Sequence, residues 1–402
     1  MSDGPLAGVR VLELGSFIAG PFAGQLLGDY GADVIKVEAP GEGDPMRRWG
    51  TVRDGESLWW PGIARNKRSI AIDLRDERGR ALIRRLTARC DLVLENFRPG
   101  RLDEWGLDHA TLSAGNPALV LVHISGFGQT GPLASQAGFG SVGEAMGGIR
   151  YTTGSPDRPP SRAGISLGDA LAAVFAVVGS LAALTSARQT GRGQEVDVAI
   201  YEAVAALMES TMADYELAGI TRSRSGSVLP GIAPSNVYAT ADGSEIIIAG
   251  NADSVFARLC EAMGRPELAT DERYATHLAR GTNMVELDEL IGGWTATLPT
   301  ADLLLILEQH GVPAGQIFAA EEMLNDPHYL ARGMVQRVLN RQGVSVPMTG
   351  IVPRFTATPG RIRHGGPGLG EHTDVVLRDL LGLDDDAIAG LHRDQIVEVS
   401  HA

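Results

Sequence analysis

Short runs of Val, Leu and Ile alternate with longer apolar or amphipathic stretches along the first third of the chain. VRVLELG near the N-terminus is continuously apolar except at its charges, as a strand buried on both faces is. The following SFIAGPFAGQLLGDYGA supplies a Gly-Pro turn and an apolar helix, and DVIKVE at 33–38 reads as a second strand. The alternation continues with SIAIDL at 69–74, a helix at about 76–89, DLVLENF at 91–97 and LVLVHISGFG at 119–128. Repeated βαβ units predict an α/β fold: a Rossmann-like large domain with a mostly parallel sheet and helices on both faces. GISLGDALAAVFAVVGSLAALTSARQT predicts a long apolar helix opening at about 169 and closed by GRGQ. VDVAIYEAVAALMES then predicts a short strand leading into another helix.

The composition changes to Gly, Ser, Arg and Pro between 219 and 235, which marks a linker. A large domain is expected over 1–218, a smaller α+β domain over 236–332 and a C-terminal segment over 333–402. In the small domain NVYATADGSEIIIAG predicts a hairpin, and helices are expected at about 253–263, 283–296 and 301–310. VQRVLNRQGVSVPMTG predicts a second hairpin, followed by the Pro- and Gly-rich stretch 353–370.

Charge narrows the choice of ligand. The 402 residues carry a net charge of −14, which disfavours nucleic acid and anionic membrane as partners. An anionic ligand must therefore meet a local basic cluster. The apolar stretches read as broken by charge or Gly well short of the 18 or so residues, roughly 30 Å of helix, that span a bilayer. The N-terminus has no basic region ahead of an apolar stretch, so a cytoplasmic protein is expected. Two cysteines, Cys90 and Cys260, offer neither a disulfide framework nor a CxxC metal site.

The turn after the first strand, GSFIAGPFAG, lacks the G-x-G-x-x-G spacing that brings backbone close to a pyrophosphate. Neither a Walker A sequence nor a G-x-S-x-G elbow is present, and the nine histidines show no metal-ligand spacing. One carboxylate stands out: Asp169 follows GISLG and precedes an almost uncharged helix. It has two readings. An Asp there can cap the helix, or, held partly desolvated beside backbone N–H groups, it can act as a nucleophile. Basic residues gather in NKRS (66–69), at Arg75 and in NFRPG (96–100), each read as following or ending a predicted strand, with Arg47 and Arg48 on a loop after the second strand. Ligands of parallel α/β sheets bind at the carboxyl ends of strands, where these residues could converge.

Read together, LAGVRVLELGSFIAGPFAGQLLGDYGADVIKVEAPGEGD, ARNKRSIAIDL, ENFRPG, ISGFGQTGP, GDALAAVFAVVGSLAAL, TGRGQEVDVAIYEA, GVPAGQI and LGEHTD resemble the class III (CaiB/BaiF) CoA-transferases, which include formyl-CoA transferase. The resemblance runs in order over residues 6–374. It implies an interlocked homodimer of open-ring subunits, in which the C-terminal segment rejoins the large, CoA-binding domain. It also implies transfer of CoA between carboxylates without a metal, with coenzyme A bound as acyl-CoA. The family's catalytic aspartate falls on Asp169. Positions matching its CoA contacts are Ile18 and Ala19, Ile72, Asp73, Leu74 and Arg75, and Asn96, Phe97 and Arg98. Phe139 is grouped with them. The family's glycine lid maps near Gly250 and Asn251, in AGNADS rather than a glycine run. Two basic phosphate-contacting positions are Ala39 and Glu104 here, which leaves Arg47, Arg98 and Arg101 to supply that charge.

Two rivals remain. An α-methylacyl-CoA racemase of the same fold would need a His where this chain has Phe139, in AGFGSVGEAMGG. A catalytically silent CoA-binding protein would not need Asp169. GQTGP, LPGIAPSNVY and GVPAGQI resemble the dicarboxylate branch of the family, with succinyl-CoA:glutarate-type transferases, so a succinyl-CoA-like donor and a short dicarboxylate acceptor are expected.

Overall fold

The computed structural model describes residues 4–400. Six parallel strands carry the first compact unit: β1 (Arg10–Glu13), β2 (Asp33–Glu38), β3 (Lys67–Ile72), β4 (Leu92–Glu95), β5 (Val120–Ser125) and β6 (Glu195–Ala199). A seventh, β7 (Val397–Glu398), pairs antiparallel with β3 through Val397 and Ile72. The sheet order is β7-β3-β2-β1-β4-β5-β6, so the winding reverses between β1 and β4. In an open α/β sheet that reversal opens a crevice at the strands' carboxyl ends.

Alternation along the strands explains both faces. Val11, Val34, Leu94, Val120 and Val122 point to one side, against α1 (Ala19–Asp29) and the long helix α4 (Leu167–Thr190). Leu12, Ile35, Ile70, Ile72, Val93 and Leu121 point to the other, against Leu82, Ile83 and Leu86 of α2 (Glu77–Thr87) and Val376 and Leu377 of the C-terminal segment. Strands covered on both faces read as continuous apolar runs, which is why they were visible in the sequence. Between α2 and α4 lies α3 (Gly140–Met146), and α5 (Ile200–Ala205) follows β6.

The residues 170–187 of α4 contain no charge, contrary to the reading of broken apolar stretches; Gly179 and Ser180 interrupt the run only in composition. By length and apolarity this helix could cross a membrane. In the structure its small residues Ala172, Ala173, Ala176, Ser180, Ala183 and Ala187 are buried, and it packs in the same core cluster as α1 and β5. Small side chains let helix backbones approach closely, so on this face apolarity serves packing.

This first unit runs from the N-terminal described residues to Ile149, takes up Ala163–Ser210 and resumes at Pro327. Its C-terminal part is tied to the sheet by polar contacts as well as by β7. Arg65 grips both carboxylate oxygens of Asp29 and donates to Thr349 O at 2.7 Å. Asn66 Nδ2 donates to Arg361 O, and Trp60 Nε1 to Pro367 O.

The second unit consists of Arg150–Arg162 and Thr211–Asp326. Three antiparallel strands, Ser235–Ala239, Glu245–Ala249 and Ala314–Gln316, pack Tyr238, Ile246 and Ile248 against helices Asp253–Ala262, Met284–Thr295 and Thr300–Gln309. The hairpin and all three helices lie where the periodicity put them. Asn251, after the central strand, has its carbonyl held by the buried Arg280 at 2.8 Å.

Candidate active site

The turns leaving β1 and β4 meet at the reversal point of the sheet. Asn96 spans them: its Oδ1 accepts from Ser16 N and its Nδ2 donates to Ser16 O, both at 2.8 Å. Gly15 makes room for it, since a β-carbon there would lie 2.7 Å from Asn96 Oδ1. Ile18 then stands at the start of α1 and Ala19, buried, opens the helix. Phe97 follows Asn96 and sets its ring edge-on to Trp105 at 5.2 Å. Arg98 is exposed and forms no ion pair among the described residues.

Ile72 to Arg75 leave the carboxyl end of β3, separated from β1 by β2. Ile72 and Leu74 belong to the apolar side of this end, packed into the core, and Asp73 N donates to Ile396 O. Arg75 is exposed but engaged: it holds Asp73 by two bonds of 2.9 and 3.2 Å. The hydrogen bond and charge of Arg75 keep the Asp73 carboxyl below its usual range.

Asp169 is the third residue of α4, not its N-cap. The cap position belongs to Ser166, whose side chain makes no capping bond, and the helix opens two residues earlier than the charge pattern suggested. Glu144 of α3, 1% exposed, brings Oε1 to 3.3 Å from Gly168 N and so serves an N-terminal amide of α4 from a neighbouring helix. The half-buried Asp169 carboxylate lies against Gly140, the first residue of α3: a β-carbon on Gly140 would be 2.1 Å from Asp169 Oδ2. Phe139 precedes Gly140 and is 69% exposed. A carboxylate in the first turn of a 24-residue helix is stabilised as the anion by the helix dipole. Partial exposure leaves it within reach of a ligand.

The family model of CoA-transferase family III matches residues 6–373, nearly the whole chain. The chain belongs to CoA-transferase family III. It is 55% identical over 394 residues to the succinyl-CoA–D-citramalate CoA-transferase of Chloroflexus aurantiacus, covering 98% of each chain. With the succinate–glutarate CoA-transferase of Agrobacterium fabrum it shares 40% identity over 94% of this chain and 96% of that one. The crystal structure of a CaiB/BaiF family protein from Brucella suis superimposes with a TM-score of 0.82 at 39% identity, over 94% of this chain and 100% of that one. This α/β fold is therefore the family's fold, and the chain is an enzyme of that family.

Within the transferase, two of the basic candidates for phosphate binding are already committed. Lys67 is buried at the amino end of β3 rather than its carboxyl end, 2.7 Å from Glu13 Oε2, and burial pulls its ammonium down to about 8 against the attraction of Glu13. Arg47 grips both oxygens of Glu38 at 2.7 Å and stacks over Trp60 at 3.9 Å. Arg48 donates to Glu42 O and Arg101 pairs with Glu104, both on the exposed surface. Of the named cations, Arg48 and Arg98 have no ion pair among the described residues, and Arg48 is engaged with the carbonyl of Glu42.

Four further residues escaped the sequence. Glu95, the last residue of β4, accepts from Phe97 N at 2.7 Å and meets His123 Nδ1 at 2.6 Å; His123 Nε2 lies 3.2 Å from Glu195. Desolvation would lower His123, yet the two carboxylates outweigh it and hold the ring above its ordinary value. In-register pairing of Glu95 with His123 across β4 and β5 makes this contact, a relation that spacing along one chain does not show. Gly140 gave no signal beyond being one glycine among 51.

Proposed function

We propose that this enzyme moves CoA from a succinyl-CoA-like donor to a short dicarboxylic acid, with Asp169 as the covalent carrier. Asp169 attacks the donor thioester carbonyl, forming a mixed anhydride and releasing CoA thiolate. The thiolate attacks the aspartyl carbonyl, which frees the donor's carboxylate and leaves an aspartyl-CoA thioester. The acceptor carboxylate displaces the thiolate to form a second anhydride, and the thiolate then takes the acceptor's acyl group and restores Asp169. Thioester energy is retained throughout, provided water is kept from each acyl intermediate.

The observation that carries this reading is the half-exposed Asp169 carboxylate in the first turn of α4, backed by Gly140. The turns at Ile18–Ala19 and Asn96–Arg98 are read as the CoA site because they flank the sheet's reversal point. The names of the two relatives, one acting on D-citramalate and one on glutarate, support a dicarboxylate acceptor. Val174, Phe175 and Val178 of α4 stay exposed, and an apolar stripe of that kind supports burial by a second copy in an interlocked, open-ring homodimer.

Incubation with succinyl-CoA, trapping with hydroxylamine or borohydride and peptide mapping should find the adduct on Asp169. Turnover with an unmodified Asp169 would remove the mechanism. A panel of CoA donors and dicarboxylic acids read by mass spectrometry identifies the acceptor, and a folded, active monomer at nanomolar concentration would contradict interlocking.

A further inference from the structure

The turn from β1 to α1 is held by side chains at four successive backbone polar groups, from Gly15 O to Phe17 N. Gly15 O accepts from Lys36 Nζ at 2.9 Å. Ser16 N and O are both taken by Asn96. Phe17 N donates to Asp44 Oδ1 at 3.2 Å, and Ile18 O already receives Phe22 N of the helix. Phe17 sits at φ 65°, in the left-handed region that a phenylalanine rarely adopts, with its ring edge-on to Trp49.

These supports are linked to one another. Lys36 Nζ lies 2.7 Å from Asp44 Oδ2 and 3.0 Å from Glu13 Oε1, while Asp44 Oδ1 also accepts from Met46 N and Asp44 N donates to Glu38 Oε2. Lys36 and Asp44 are 1% and 3% exposed. Such residues contribute no surface to a ligand, and a strained backbone persists only where its surroundings over-determine it.

We infer that Lys36, Asp44 and Asn96 are positioning residues that hold Gly15–Ile18 in the one shape that receives acyl-CoA. The inference rests on the reading of Ile18–Ala19 as part of the CoA site. Pre-shaping the turn removes the ordering cost from binding, so loss of the brace weakens acyl-CoA binding while chemistry at Asp169 continues once the substrate is bound. Asn96 acts here through Ser16, with both ends of its amide engaged by that residue.

The test uses the full-length protein with Asp44→Ala and Asn96→Ala, read by hydrogen exchange of the peptide covering residues 14–20 and by kinetics with succinyl-CoA. In both variants the Ser16 and Phe17 amides should exchange at least about tenfold faster than in wild type without ligand. The KM for acyl-CoA should rise about tenfold, with kcat within about threefold and the acceptor's KM unmoved. A raised KM without faster exchange would make Asn96 a direct ligand contact and overturn the inference, as would faster exchange with an unchanged KM. If Asp44→Ala does not fold, the isosteric Asp44→Asn, which removes the charge that Lys36 and Phe17 N meet, decides by the same two readings. The underlying site reading is tested separately: saturating CoA should slow exchange at 14–20 in wild type, and CoA that protects other segments alone displaces the site whatever the variants do.

Discussion

The carboxylate of Asp169 rests on Gly140, where a β-carbon would lie 2.1 Å from Oδ2 and 2.8 Å from Cγ. No side chain other than hydrogen fits at 140 without moving that carboxylate. A displacement of about 1 Å at a nucleophile can cost about a hundredfold in rate. Gly140→Ala should therefore lower kcat by about that factor while acyl-CoA affinity stays near wild type. Steady-state kinetics beside calorimetry with CoA checks it; an unchanged kcat would mean that Asp169 is not held for catalysis by α3.

Arg98 and Arg75 were equal candidates in the sequence, and the structure separates them. Arg98 has no ion-pair partner among the described residues, whereas Arg75 must leave Asp73 before it can meet a phosphate. Removing a charge-assisted phosphate contact costs about 1.5–3 kcal/mol, which converts to roughly ten- to a hundredfold in KM. Arg98→Ala should raise the acyl-CoA KM by at least about tenfold with kcat little changed, and Arg75→Ala by less. Equal effects of the two would show that Asp73 does not compete for Arg75.

The parallel strands were legible because both faces of the sheet are covered, so each strand reads as an apolar run. Asp169 was legible through the eighteen uncharged residues after it, but its position in the helix was not. The capping duty that favours an Asp at a helix start is met in part by Glu144 from another helix, and local propensity carries no record of such a partner. The basic residues misled for the same reason. Lys67 and Arg47 look like surface charge along the chain and are consumed by Glu13, which lies on β1 two strands over from Lys67 in β3, and by Glu38, which ends β2 ahead of the turn that carries Arg47. Pairing across a sheet couples residues tens of positions apart, beyond the reach of periodicity.

The Glu95–His123 pair fixes the sign of one pH dependence. His123 is held above its ordinary 6.5, so it adds stability at pH below 6.5 and loses that contribution as pH rises through its folded value. Glu95 is raised above its ordinary 4.5 by burial, with His123 opposing, so from 4.5 upward it also disfavours the folded state. Both slopes run downward with rising pH. Unfolding free energies from urea titrations at about pH 6 and about pH 9 should show wild type losing more stability than His123→Gln over that interval. Parallel slopes for the two proteins would remove His123 as the source.

Gly24 in α1 leads to the last expectation, one about stability rather than rate. A β-carbon there would lie 1.8 Å from Glu13 Oε2, 3.0 Å from Glu13 Cδ and 3.4 Å from Lys67 Nζ. Glu13 cannot swing aside cheaply: Lys36 holds Oε1 at 3.0 Å, Lys67 holds Oε2 at 2.7 Å, and the carboxylate is fully buried. Either α1 lifts from the sheet or a buried ion pair is pulled apart, and the latter costs about 3–5 kcal/mol when it leaves charge uncompensated. Gly293, exposed inside the helix Met284–Thr295, has nothing within 4 Å of where a β-carbon would stand and provides the contrast. There alanine should stabilise by about 0.5–1 kcal/mol through helix propensity alone. Gly24→Ala should lower unfolding free energy by about 3 kcal/mol or more, and Gly293→Ala should raise the melting temperature of its unit slightly. If Gly24→Ala unfolds at the wild-type midpoint, the carboxylate of Glu13 is free to move and the buried cluster does not hold α1 against the sheet.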